Sequence, residues 1–147
     1  MSTGKNFVTP FFMPSKSEFE WDRILKDSHH SLRQIDLWFL GFVIGVRHEL
    51  LEDFSTFKKT TKAAENIGVL LSSEKLHLIE AVYFTKAGFE QDFDPTSLPN
   101  KVIRFAHDYA FAGLRKLVDH YNRLGDLGLA FAKAIEDFPV SDSGLQL

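Results

Sequence analysis

Residues 100 to 126, NKVIRFAHDYAFAGLRKLVDHYNRLGD, hold the side chains of this 147-residue chain whose types and spacing best suit chemistry. His107 adjoins Asp108, and an imidazole beside a carboxylate can share a metal ion or move a proton. Arg115 and His120 follow, a fixed cation and a group that titrates near neutral pH, five positions apart. The helical period separates these residues. At about 100° per residue, Ile103, Ala110, Phe111, Leu114, Val118 and Tyr121 fall on one stripe with His107. The period therefore predicts that His107 is a buried, neutral core histidine bonded through one ring nitrogen. Arg115 and Asp119 face solvent at the spacing of a helical ion pair, and His120 sits at the border near the helix end. Residues five apart point about 140° away from each other on a straight helix. Arg115 and His120 become one site only through a bend, a metal or a second subunit.

The His107-Asp108 pair resembles the dyad of HD-domain phosphohydrolases, helical proteins that hold metal through a histidine, a later His-Asp pair and a further aspartate. DSHHSLRQIDLWFL resembles the surroundings of that family's first histidine, but His30 lies far from the pair; taking His77 instead shortens the gap. The resemblance implies a metal site built from His77, His107 and Asp108. Arg115-Lys-Leu-Val-Asp-His120 is similar to the arginine, four residues, histidine motif of HEPN-family ribonucleases, which are small helical bundles; Lys116 stands where those proteins usually carry another polar residue. That resemblance implies RNA cleavage with Arg115 and His120 as catalytic residues.

Other spacings lead to less. Glu74-x-x-His77, with Glu80, has the form of half a di-iron carboxylate site, but the later helix offers Arg104-x-x-His107, a cation where a carboxylate is needed. A haem would need facing histidines such as His48 and His107, or His77 and His107, and helical faces do not fix such a pairing. DFDPTS lacks the glycine turn and the distal glutamate of a calcium loop. FKKTTK, residues 57 to 62, reads as a helix end whose lysines favour the dipole and solubility. No phosphate-binding glycine loop, Gly-x-Ser-x-Gly elbow or His-Glu-x-x-His pair occurs, so the sequence predicts no cofactor.

One domain is expected from this length. The chain is 44% apolar and 25% charged, a globular composition, and its fifteen Phe predict a dense core or an aromatic contact surface. The formal net charge of -3 does not favour nucleic acid as a partner. Cysteine is absent, which removes disulfides and thiolate chemistry and fits a cytoplasmic setting. The longest uncharged stretch, LWFLGFVIGV, rises only about 15 Å as a helix, half of a bilayer core, so no membrane span is expected.

The elements that must position these residues are helical. Residues 1–14, interrupted by Pro10 and Pro14, read as an extended aromatic arm. A bundle of five or six helices over residues 15–139 follows, then a loose tail, 140–147. Ser17 to Glu20 forms a capping box that predicts a helix to about Lys26. A longer helix is expected over Ser31–Lys58, with nothing between the two to break them apart. Its stripe is Leu32, Ile35, Phe39, Val43, Val46, Leu50, Phe54 and Phe57, and Gly41 and Gly45 let a neighbour approach. A short helix should end at Ser72-Ser73. Ser73 should cap the next, with its stripe at Leu76, Ile79, Tyr83 and Ala87; Asp126 should cap the last, which Pro139 ends. The fold class is all-α.

The function expected from this pattern is non-enzymatic: a helical protein that binds another protein or its own copies as a homo-oligomer. Phe7, Phe11, Phe12 and Met13 are the expected contact residues, since aromatic side chains anchor interfaces; the same residues could instead fold back onto their own domain. The alternative is the small helical hydrolase of the two resemblances.

Overall fold

The computed structural model describes residues 12–15, 20–27, 32–57, 67–87 and 98–136. Six α-helices occupy them: α1 (Asp22–Asp27), α2 (Gln34–His48), α3 (Ile67–Leu70), α4 (Ser73–Ala87), α5 (Leu98–Leu124) and α6 (Leu127–Glu136), with a 3-10 turn at Phe54–Thr56. Among the described residues there is no β-sheet, and the architecture is the expected all-α bundle. No helix among them is long and apolar enough to cross a membrane. Phe7, Phe11, the Ser17 cap, Pro139, the 140–147 tail, DFDPTS and the lysines of FKKTTK lie outside the described residues.

Glycine sets the centre of the bundle. α2 and α5 make the most extensive contact in the fold, and they touch through backbone. A Cβ on Gly41 would stand 2.5 Å from the Ala110 carbonyl oxygen; one on Gly45 would strike the Tyr109 carbonyl and one on Gly113 the Gly41 carbonyl. Residues later in α2 thus meet residues earlier in α5, so the two helices run antiparallel. The expected stripe of α2 is buried only in part: Ile35 is buried, but Phe39, Val43 and Val46 are half-buried, while Leu37, Trp38, Phe42 and Ile44 are buried beside Gly41 and Gly45. The neighbour approaches at Gly41 and Gly45, as expected. On α5 the expected stripe holds, with Ile103, Ala110, Leu114, Val118 and Tyr121 all buried.

Several boundaries move for local reasons. Arg33 is extended (φ -99°, ψ 160°), so α1 and α2 are separate helices. Asp36 accepts the Arg33 N–H at 2.8 Å and its guanidinium at 3.1 Å, tying off the first turn of α2. The first helix starts at Asp22, later than the capping box predicts. α2 stops at His48 instead of running to Lys58, because Glu49 turns left-handed (φ 57°) and the Leu50 N–H returns to the Gly45 carbonyl at 2.8 Å. Ser72, one residue before the expected cap, accepts the Lys75 N–H at 3.3 Å. Gly125, at φ 71°, ends α5, and Asp126 caps α6 by accepting the Leu129 N–H at 2.9 Å, as expected.

Candidate functional site

His107 is buried, 1% exposed, on the face of α5 that meets α2. Its two nitrogens are both engaged and the partners fix the tautomer. Nδ1 lies 2.9 Å from the Ile103 carbonyl, which can only accept, so Nδ1 carries the proton. Nε2 lies 2.9 Å from the Phe12 N–H, which can only donate, so Nε2 offers its lone pair. The ring is therefore neutral, as the helical period predicts, but bonded through two nitrogens where one was expected. The second bond comes from residue 12, too distant in sequence for any helical spacing to reveal.

Among the described residues, three rings stand against that imidazole. Trp38 of α2 stands edge-on at 5.1 Å between centroids, Phe12 lies at 5.9 Å, and Phe111 of α5 at 6.0 Å. The contacts continue outward, from Phe111 to Phe57 on one side and from Trp38 through Phe42, Tyr109 and Phe105 to Tyr83 on the other. Edge-to-face contacts of this kind add about 0.5–1.5 kcal/mol each beyond burial. The aromatic excess of the sequence thus goes in part into a ladder of rings through the core.

The arm supplies part of this centre. Phe12 is half-buried against His107, Met13 is 1% exposed, and the Pro14 carbonyl accepts the Trp21 indole N–H at 2.7 Å. For Phe12 and Met13 the structure gives the fold-back arrangement on their own domain. Met13 is a core side chain here and not an exposed contact.

Arg115 and His120 do not meet. α5 continues unbroken through both; Arg115 is exposed and His120 is 4% exposed. Arg115 makes a two-pronged pair with Glu52, 2.9 Å on each arm, and its guanidinium lies 5.5 Å from the Phe57 ring. With both groups partly solvated, the pair contributes about 1 kcal/mol or less. It works with a backbone bond from the Glu52 N–H to the Asp108 carbonyl, 3.1 Å, to hold the segment after α2 along α5. His120 instead accepts from Arg123 Nη2 at Nδ1, 2.7 Å. His48 uses Nε2–H to donate to the Ala134 carbonyl at 2.6 Å, satisfying one of the carbonyls that the end of α6 leaves over.

The metal alternative is not assembled either. His77 is exposed on α4, His107 is enclosed by rings, and Asp108 is half-buried beside it. No group of three or more His, Asp or Glu able to hold a metal ion occurs among the described residues. Glu80, one turn beyond His77, has its carboxyl pushed up by burial, with the neighbouring His77 opposing that shift. The residues that sequence reasoning missed are Phe12 as the donor to His107, Trp38 as its wall and Glu52 as the partner of Arg115. Each depends on a long-range contact. Compared with known proteins, the chain matches no family model, no curated protein and no solved structure.

Proposed function

We propose that this chain acts without catalysis, by binding another protein or its own copies in a cytoplasmic setting. The observation that supports this reading is that the groups a hydrolase would use are already bonded to other groups of the chain. His107 has its lone pair and its proton committed to Phe12 and Ile103. Arg115 is forked onto Glu52, and His120 accepts from Arg123. A general base must offer a lone pair to substrate, and a phosphate-binding arginine must offer its donors.

Phe7 and Phe11 are the contact residues we propose, because Phe12 and Met13 belong to the domain itself. The exposed leucines lie apart along the chain, Leu51 in the segment after α2, Leu78 on α4, Leu124 on α5 and Leu129 on α6, and singly exposed leucines are ordinary. The test is a chain with Phe7→Ser and Phe11→Ser together. The wild type is expected to self-associate by light scattering or to retain a protein partner in pull-down, and the double variant to lose this with an unchanged circular dichroism spectrum. Association equal to the wild type would remove the arm from the reading. RNA cleavage by the wild type that His120→Ala abolishes would put the ribonuclease reading in its place.

A further inference from the structure

The bond between the Phe12 N–H and His107 Nε2 ties residues 12–15 to the bundle through a lone pair that a proton can also take. We propose that His107 is a pH-operated latch, whose neutral ring holds the Phe12–Ser15 strap on the bundle and whose protonation releases it.

The geometry leaves the ring no other way to close the strap. Nδ1 already donates to the Ile103 carbonyl at 2.9 Å, so an added proton can only go to Nε2. There it would face the Phe12 N–H, donor against donor. Release also takes Met13 out of the core and frees Pro14 from Trp21. Closure and protonation compete for one lone pair, and so the strap is held at neutral pH and loosens as pH falls through the imidazole range.

Among the described residues, the elements packed on the ring bring the following groups. The strap presents Phe12 and α2 presents Trp38, both uncharged. The nearest carboxylate along α2 from Trp38, Asp36, is held by Arg33. On α5 the flanking charges are Arg104, exposed one turn earlier, and Asp108, half-buried next to the ring. Glu52, on the segment packed beside Asp108, is bound to Arg115 of α5. Among the described residues, two other buried histidines must be told apart from this one. His48 is a donor to Ala134, and that bond survives protonation. His120 accepts from Arg123, so protonation would break that contact too, but it lies about 20 Å further along α5.

The test uses the full chain and is independent of the association reading, since the strap belongs to a single molecule. Residue-resolved NMR between pH 7.5 and 5.5 follows the histidine ring nitrogens and the protection of the Phe12 amide. At pH 7.5 His107 should be the Nδ1–H tautomer with Phe12 protected. Below the titration of His107, Phe12 protection should fall by up to about tenfold per pH unit, while circular dichroism reports intact helices. His107→Phe keeps an aromatic ring without an acceptor, and should leave Phe12 unprotected at both pH values. His107→Gln, with an amide oxygen that accepts but does not titrate, should keep Phe12 protected at both. Equal protection of Phe12 at pH 5.5 and 7.5 in the wild type would overturn the latch. So would a pH response that persists in His107→Phe, or one that follows His120. If neither variant folds, the wild-type titration still decides, because strap and His107 signals must move together.

Discussion

At the scale of single residues, the side chains that resemble an active site act as structural bonds, and each accepts or donates in a way its neighbours dictate. Asp36 shows how such a bond carries pH dependence. Its partial burial pushes the carboxyl up, but the hydrogen bonds from the Arg33 side chain and backbone, with the charge of Arg33, outweigh this and hold it below its ordinary value of 3.8. A carboxyl lowered by folding favours the fold in its ionised form. Its contribution is therefore complete above the unfolded value and is lost as pH falls through the folded one. Asp36→Asn should destabilise the chain by about 1 kcal/mol or less at pH 7. In urea titrations from pH 7 to pH 2 the difference from wild type should shrink below about pH 3.8; a constant difference would assign the loss to packing instead.

At the scale of elements, the α2–α5 crossing is the point where size is least tolerated. Gly113→Ala places a methyl group against the Gly41 carbonyl, where backbone must shift, and should cost about 3 kcal/mol or more. Gly125→Ala has open space around it but a left-handed φ of 71°, and should cost about 1 kcal/mol. Urea denaturation of the two variants separates close approach from backbone strain by that ordering. The helices themselves were legible in the sequence, since α4, α5 and α6 follow from periodicity and from Asp126 as an end signal. The α5 stripe and the burial of His107 were legible too, because a helix carries its own geometry. The ends of α2 were not. Leu50, Phe54 and Phe57 continue its period, yet the left-handed Glu49 and the bond from Glu52 to Asp108 turn the chain away. Those are tertiary causes, and a helical period has no access to them.

At the scale of the whole molecule, the domain includes residues that look like an appendage. Removing residues 1–11 leaves Phe12 and Met13 in place and serves as the reference. Removing residues 1–13 also takes the 1%-exposed Met13 and the donor to His107, and should lower stability by about 2–5 kcal/mol, the cost of deleting a buried methionine. Scanning calorimetry of the two truncations checks this; equal transitions would mean that the strap contributes nothing. The crossing of α2 on α5 carries a further consequence for how the chain is made. Gly45 and Gly113 are 68 positions apart (113 − 45), so during synthesis α2 leaves the ribosome well before its partner exists. Until α5 follows, Trp38, Phe42 and Ile44 lack the surface that buries them, and a ribosome stalled between the two helices would display an adhesive nascent chain.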